Sequence, residues 1–113
     1  MADNCLFCKI VRGEIPVAKL FEDDDLVAFR DIAPQAPLHF LVIPKRHLSG
    51  PNAIGAGDEA LIGKVMAAGA RLARENGAES FRFVVNEGAE AGQTVFHFHL
   101  HVLGGRAMAW PPG

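Results

Sequence analysis

The sequence lacks the features that mark a nucleic-acid-binding or membrane-spanning protein. Its 113 residues contain 11 Lys and Arg against 13 Asp and Glu, so the formal net charge is -2. Because binding to phosphate backbones draws on an excess of positive charge, this balance disfavours dedicated nucleic-acid binding. The apolar runs are far shorter than the ~18 residues that a membrane span needs, and no signal-peptide pattern opens the chain. We therefore expect a cytoplasmic protein with neither nucleic acid nor membrane as a partner.

Low-complexity tracts and internal repeats are also absent, which predicts a single domain over residues 1–113. Half of the residues are apolar. A chain of this length buries roughly two-thirds of the surface that its unfolded form exposes. A hydrophobic core can therefore form without disulfide staples, and global disorder is excluded.

Short apolar runs separated by turn residues predict a sheet. The acidic triplet at residues 23–25 divides the first two runs and is typical of a hairpin turn. Pro34 and Pro37 place a loop before the third run, in which Phe40 and Val42 share one face of the strand. The predicted strands cover residues 19–21, 26–30, 39–43, 81–85 and 94–103.

Two segments have the spacing of apolar residues that is typical of helices. Residues 5–11 predict a short helix that stops at Gly13. A longer helix begins after Asp58, which can cap it, and ends at Gly77, where a left-handed residue is favoured. Its apolar stripe comprises Leu61, Ile62, Val65, Met66, Leu72 and Ala73. Together these elements predict an α+β fold: a roughly five-stranded antiparallel sheet with one main helix and a short N-terminal helix.

Three of the five histidines occur in strict alternation with apolar residues. On a strand, His97, His99 and His101 project from one face about 6.5 to 7 Å apart, whereas on a helix they would scatter around the axis. The solvated face of an edge strand is the alternative, but three imidazoles on one face favour chemistry. The apolar residues between and beside them, which can enter the core, are Phe96, Phe98, Leu100 and Val102.

Clustered imidazoles suit two chemistries that their spacing does not separate. Neutral rings bind a metal such as zinc and activate water. Alternatively, one ring is a nucleophile while its neighbours position a phosphate and move protons. Small and polar residues before the last strand favour a phosphate-bearing substrate, because backbone N–H groups there can approach an anion. These residues are Asn86, Gly88, Gly92, Gln93 and Thr94.

Residues 97–103 match the pattern His-φ-His-φ-His-φ-φ, where φ is apolar, without a departure. With this motif the chain resembles the histidine triad family, specifically its Hint branch of nucleoside phosphoramidate hydrolases. Arg30 and Ala91 depart from that resemblance, since animal members often have histidine and glycine there. The resemblance covers nearly the whole chain and rests also on residues 29–32, 34–37, 39–45, 84–88, 92–95, 104–106 and 110–113.

The resemblance implies a purine nucleotide site built around the histidines. His99 would attack the α-phosphorus and become transiently nucleotidylated, and His101 would contact the phosphate. His97 would support the triad from behind, while His39 would complete a hydrogen-bonded network. Asp31 would bind the ribose, because a carboxylate accepts two hydroxyl protons well. The other implied substrate contacts are Phe29 and Ile32 at the base and Asn86, Gly92, Gln93 and Thr94 near the phosphate and leaving group.

The cysteine pair formed by Cys5 and Cys8 is half of a zinc site or a redox pair. The redox interpretation lacks a following βαβ pattern, and two small buried apolar side chains are the remaining alternative. The resemblance to bacterial members with this pair implies a structural Cys2His2 zinc site that His47 and His97 complete. No cofactor is implied for catalysis.

The resemblance implies hydrolysis of the P–N bond of purine nucleoside phosphoramidates, or of aminoacyl adenylates, with release of the nucleoside monophosphate. It also implies a homodimer that joins two sheets, with Trp110 in a segment, residues 108–112, near the partner's active site. Two other classes of function stay open. One is a nucleotide-binding regulatory module without significant turnover, and the other is a zinc-dependent hydrolase that uses the triad as metal ligands.

Overall fold

The computed structural model describes residues 4–113 and contains a five-stranded sheet with one long and one short helix. Every pair of neighbouring strands is antiparallel, in the order β1-β2-β3-β5-β4. This confirms the predicted fold class. The elements are α1 (Leu6–Val11), β1 (Lys19–Glu22), β2 (Leu26–Arg30), β3 (Leu38–Pro44), α2 (Glu59–Glu75), β4 (Phe81–Val84) and β5 (Leu100–Gly104).

The hairpin between β1 and β2 forms where the acidic triplet predicts it. The Asp23 carboxylate accepts the backbone N–H groups of Asp25 and Leu26, each at 2.8 Å. Such a bond from a short side chain to the backbone two or three residues ahead stabilises a tight turn. The same bonds hold the pKa of Asp23 below its ordinary value.

Strand β3 lies at the centre of the fold and is buried along its whole length. Phe40 and Val42 face the cluster beneath α2, whereas Leu41 and Ile43 face a second cluster beneath α1. The alternation predicted for this strand is therefore confirmed. The two helices therefore lie on opposite faces of the sheet.

Helix α2 has the predicted start and end, but its cap and its stripe differ in detail. The Asp58 side chain does not cap α2; it accepts the Gly55 N–H at 2.8 Å and pairs with Arg46. Met66 is 49% exposed and lies outside the buried stripe, because a 17-residue helix on a sheet buries only one side. Gly77 ends the helix with a positive φ of 91°, as expected. No helix within residues 4–113 is both long and apolar enough to cross a membrane.

The predicted last strand, residues 94–103, is wrong over its first half, because β5 begins only at Leu100. The backbone groups before it bind elsewhere: the Phe98 N–H donates to the Leu48 carbonyl, and the His97 carbonyl accepts from a side chain. These backbone groups are therefore not available to pair with a neighbouring strand, and the sheet does not extend over this segment. Of the apolar residues that alternate with the histidines, Phe98 is the first to be buried in the core, whereas Phe96 is 51% exposed.

Candidate active site

The histidine motif keeps its two faces although only His101 lies within a strand. Its apolar members Phe98, Leu100 and Val102 belong to the cluster beneath α2. The histidines face α1, where the Phe7 ring packs edge to face against His97 and His99 at centroid distances of 6.0 and 5.0 Å. Helix α1 therefore forms the other wall of the histidine site.

The His97 ring is fully buried and turns away from the other two histidines toward the cysteine pair. Its Nε2 donates to the Pro44 carbonyl at 2.8 Å, which leaves the lone pair of the neutral ring on Nδ1. That Nδ1 lies 3.4 Å from Cys5 Sγ, 3.5 Å from Cys8 Sγ and 3.1 Å from His47 Nδ1. The backbone thus selects the tautomer that a metal ligand requires.

These four side chains could hold a metal ion, since their ligand atoms all lie within 4.8 Å of one another. A tetrahedral zinc ion with sulfur and nitrogen ligands spaces its donors about 3.3 to 3.8 Å apart. The three sulfur–nitrogen contacts of 3.3 to 3.5 Å fit that geometry, and the contact between the two histidine nitrogens, at 3.1 Å, is slightly shorter. Four protein ligands complete the coordination shell, which is the pattern of a structural site. The prediction that these residues come together is confirmed.

His99 presents a free ring nitrogen. Its Nδ1 donates to the His97 carbonyl at 2.7 Å, so the lone pair of the neutral ring is on Nε2. Burial lowers the pKa of His99, which keeps the ring neutral at pH 7. No hydrogen bond within residues 4–113 engages Nε2. Because no buried side-chain nitrogen or oxygen of those residues lacks a partner, this Nε2 is accessible.

A second group of side chains surrounds His101. Its Nδ1 lies 3.0 Å from His39 Nε2, and the Asp31 carboxylate lies 3.4 Å from His39 Nε2 and 4.0 Å from His101 Nδ1. Burial, reinforced by the charges of His99 and His39, lowers the pKa of His101 to about 4. Burial also lowers the pKa of His39. Both rings are therefore neutral at pH 7, and they bond to each other without repulsion.

Asp31, His39 and His101 also lie close enough together to be considered as metal ligands. The hydrogen bonding of His39 argues against that use. Its Nδ1 accepts the backbone N–H of Gln35 at 3.0 Å, so the neutral ring carries its proton on Nε2. A protonated nitrogen cannot ligate a metal, and this group acts as a hydrogen-bonded network instead.

A cavity of about 540 Å³ lies between α1 and the sheet. This volume is within the range of small-molecule sites, roughly 300 to 1,000 Å³. Three polar residues of its lining are neighbours and form its polar end: Asp31 lies 4.0 Å from His101 Nδ1, and the ring centroids of His99 and His101 are 5.0 Å apart. Most of the remaining lining is apolar and suits a flat aromatic group. We call it the apolar slot; its walls include Phe7, Ile10, Ile15, Val17, Phe29 and Leu41.

Seven of the implied substrate contacts line this cavity: Phe29, Asp31, Ile32, Gly92, Thr94, His99 and His101. Asn86, Gln93 and Trp110 do not line it. The buried Gln93 amide accepts the Gly88 N–H at 2.8 Å and donates to the Ser49 carbonyl at 2.7 Å. Since both ends of its amide are occupied, it holds the loop before β5 in place. Trp110 is 81% exposed in the isolated chain.

The walls that α1 and the segment after it contribute were not anticipated. Phe7, Ile10, Ile15 and Val17 line the cavity. Their spacing in the sequence indicates only an apolar helix face followed by a loop, which fits a core as well as a pocket. Nothing in that pattern shows that the face is shared between packing and a ligand site.

Comparison with known sequences finds one family. A family model described as HIT domain matches residues 12–108. An uncharacterised HIT-like protein of Synechocystis sp. is 50% identical, and the match spans 100% of both chains. A second uncharacterised HIT-like protein, from Synechococcus elongatus, is 46% identical over the same share of both chains.

Solved structures agree with the sequence matches. A HIT family hydrolase from Legionella pneumophila superposes with a TM-score of 0.94 and 48% identity, covering 97% of this chain and 100% of that one. A HIT family hydrolase from Clostridium thermocellum gives 0.93 and 38%, covering 96% of each chain. A histidine triad protein from Clostridium difficile gives 0.92 and 37%, again covering 96% of each.

Proposed function

The chain belongs to the HIT domain family, and from this membership and the cavity geometry we propose that it is a nucleotide hydrolase. It cleaves the P–N bond of purine nucleoside phosphoramidates, or the corresponding acyl phosphate bond of aminoacyl adenylates. The nucleoside monophosphate is released. One observation carries the proposal: an accessible, unprotonated His99 Nε2 lies beside the other polar residues of a cavity whose remaining walls are mostly apolar and suit a flat base.

In this proposal different cavity residues bind the base, the ribose and the phosphate of the substrate. The base occupies the apolar slot, where Phe29 and Ile32 are among the walls, and the Asp31 carboxylate accepts the ribose hydroxyls. The α-phosphate then lies at the polar end beside His99 and His101. Gly92 and Thr94 also line the cavity, and in this proposal they contact the phosphate and the leaving group.

Attack by His99 divides the reaction into two displacements. The Nε2 lone pair forms a bond to the α-phosphorus while the P–N bond breaks, and the leaving amine takes its electron pair and a proton from water. The ring becomes positively charged, and the His97 carbonyl stabilises that charge through its bond to Nδ1–H. A second water then attacks the phosphorus and gives its proton to the hydroxide left by the first step, while the P–His99 bond breaks. The neutral ring is restored and the monophosphate is released.

Rapid quenching of the reaction, followed by mass spectrometry, tests this proposal. Protein mixed with an adenosine phosphoramidate and quenched within milliseconds should carry one adenylyl group on the fragment that contains His99. Protein mixed with AMP alone is the control and should carry none. Binding without adduct or AMP release would identify a regulatory module, and activity that disappears with chelation while His99 stays unmodified would identify a metal-dependent hydrolase.

We further propose that the site of Cys5, Cys8, His47 and His97 holds a structural zinc ion. When bound, zinc supplies coordination bonds that tie α1 to the loop after β3 and to the segment before β5. The reaction itself needs no cofactor. Since the His97 ring is one of the four ligands, its role in this proposal is structural. Its contribution to the reaction is the backbone carbonyl, which accepts a hydrogen bond from His99 Nδ1.

A homodimer is proposed from an edge strand of the sheet and from large apolar side chains that the chain leaves exposed. Strand β4 is an edge strand. Val85 directly after it, Phe96 and Trp110 are 38%, 51% and 81% exposed. A pair of such edges can join two sheets while covering these side chains. Trp110 would then lie at the partner's cavity.

Sedimentation equilibrium should therefore show twice the 12.1 kDa mass of the chain at micromolar concentration. A Val85→Lys and Phe96→Lys double variant should shift the protein toward monomer, because it places charges in an apolar interface. Removal of residues 108–112 should change substrate preference without unfolding the chain. A wild-type monomer at these concentrations would contradict the proposal.

A further inference from the structure

The turn after β5 packs against the loop before β3. The Arg106 guanidinium donates two hydrogen bonds to the Gln35 carbonyl, from Nε at 3.2 Å and from Nη2 at 3.1 Å. Gly105 has a positive φ of 88°, and a Cβ there would lie 3.0 Å from Pro37 Cβ. Gly105 and Arg106 therefore hold residues 34–37 closely and from one side.

That loop decides where the proton lies in the histidine network. The Gln35 N–H donates to His39 Nδ1 at 3.0 Å. A backbone N–H is always a donor, so Nδ1 must accept and the neutral His39 ring carries its proton on Nε2. Nε2 then donates to His101 Nδ1 at 3.0 Å, which places the His101 proton on its own Nε2.

We propose that Arg106 is a positioning residue for the proposed reaction, which acts by holding the Gln35 N–H on His39 so that His101 presents an N–H donor to the phosphate. This inference rests on the proposed function only for the identity of the bound group. His101 lines the polar end of the cavity, and no hydrogen bond within residues 4–113 engages its Nε2. The donor is therefore free for a phosphoryl oxygen.

The opposite proton arrangement would harm phosphate binding. The Gln35 N–H excludes a proton from His39 Nδ1. Without that donor, the neutral ring can carry its proton on Nδ1 and its lone pair on Nε2. His101 would then donate from Nδ1 and turn its own lone pair toward the phosphate. A lone pair facing a phosphoryl oxygen is repulsive, and the loss of one donor to developing charge costs roughly 10²-fold to 10³-fold in turnover.

Two pairs of variants separate this role from general stability. Gln35→Pro removes the N–H, while Gln35→Ala keeps it and removes only the side chain, which donates to the Ala33 carbonyl. Arg106→Met removes the two bonds to Gln35. Arg82→Met is its control, because Arg82 donates to another backbone carbonyl, that of Ala109, at 3.0 Å.

The direct readout is the protonation of each ring nitrogen in the free protein, from ¹⁵N–¹H long-range correlation spectra at pH 7.5. Wild type, Gln35→Ala and Arg82→Met should show protonated Nε2 and unprotonated Nδ1 in His39 and His101. Gln35→Pro should show the reverse, and Arg106→Met should show a mixture. Turnover should fall roughly 10²-fold in Gln35→Pro and about ten-fold in Arg106→Met.

Each outcome decides one of the two proposals. An unchanged ring pattern in Arg106→Met overturns the inference, even if Gln35→Pro fails to fold. A pattern that changes equally in Gln35→Ala and Gln35→Pro also overturns it, because the N–H would then be irrelevant. The expected spectra in a wild-type protein that hydrolyses no phosphoramidate would support the inference while rejecting the proposed function.

Discussion

Replacement of His99 by alanine should lower the turnover of an adenosine phosphoramidate by roughly 10³-fold or more, which is a loss of about 4 kcal/mol of transition-state stabilisation. The variant has no nitrogen at the position from which Nε2 attacks phosphorus. Affinity for AMP should change by no more than about three-fold, because the variant keeps the proposed contacts of the apolar slot with the base and of Asp31 with the ribose. Steady-state kinetics and titration calorimetry measure the two quantities.

Chemical rescue provides the matched control for His99. In His99→Gly the space of the missing ring is open, so added imidazole should restore turnover, whereas added acetate should not. His99→Ala that keeps more than roughly a tenth of wild-type turnover, a difference of only about 1.4 kcal/mol, would refute covalent catalysis at this residue. If wild type forms no nucleotidyl adduct, water attacks directly and His99 is a general base.

Loss of the proposed zinc ion should have the largest effect on stability. Purified protein should contain about one zinc per chain, and Cys5→Ser and Cys8→Ser should lose it. Helix α1 has only six residues, too few to be stable alone, so it depends on its attachment to the sheet. We expect a loss of at least about 3 kcal/mol of unfolding free energy, or a fall in Tm of roughly 10 °C or more.

A chelator completes the comparison for the metal site. The difference in Tm between wild type and Cys8→Ser should be large with zinc present and should nearly vanish in excess chelator, because both proteins then lack the ion. Displacement of zinc by cobalt should produce the intense thiolate-to-metal absorption of a tetrahedral site. Wild type that is purified without chelator, contains no zinc and has the same Tm as both serine variants would show that the cysteines hold no metal ion.

The strand pattern could be predicted from the sequence because its signals are local. Alternation in β3 separates Phe40 and Val42 from Leu41 and Ile43, and a strand's side-chain period of two transfers that separation directly to the two faces of the sheet. The same rule places the histidines of residues 97–101 on one face. It failed for the start of β5, because the Phe98 N–H donates to the Leu48 carbonyl, while the Val95 and His97 carbonyls accept from the side chains of Gln93 and His99.

The metal-site ligands and the cavity walls could be predicted from the sequence to different degrees. The spacing of Cys5 and Cys8 indicates half of a site, but the other half is supplied by His47 and His97, which lie 39 and 89 residues beyond Cys8. Only the resemblance to related proteins named them beforehand. The walls supplied by Phe7 and Ile10 had no distinguishing signal, since a helix face that packs on a sheet has the same apolar spacing as one that lines a cavity.

The sequence by itself determined which side chains share a face and which residue types can do chemistry there, because both depend on local periodicity and intrinsic reactivity. Only the tertiary structure decided the role of each imidazole. His97 is turned to the cysteines by the Pro44 carbonyl, and His99 is left with a free Nε2 by the His97 carbonyl. A neutral imidazole carries one proton for two nitrogens, so its role is set by whichever backbone donor or acceptor the fold places beside it.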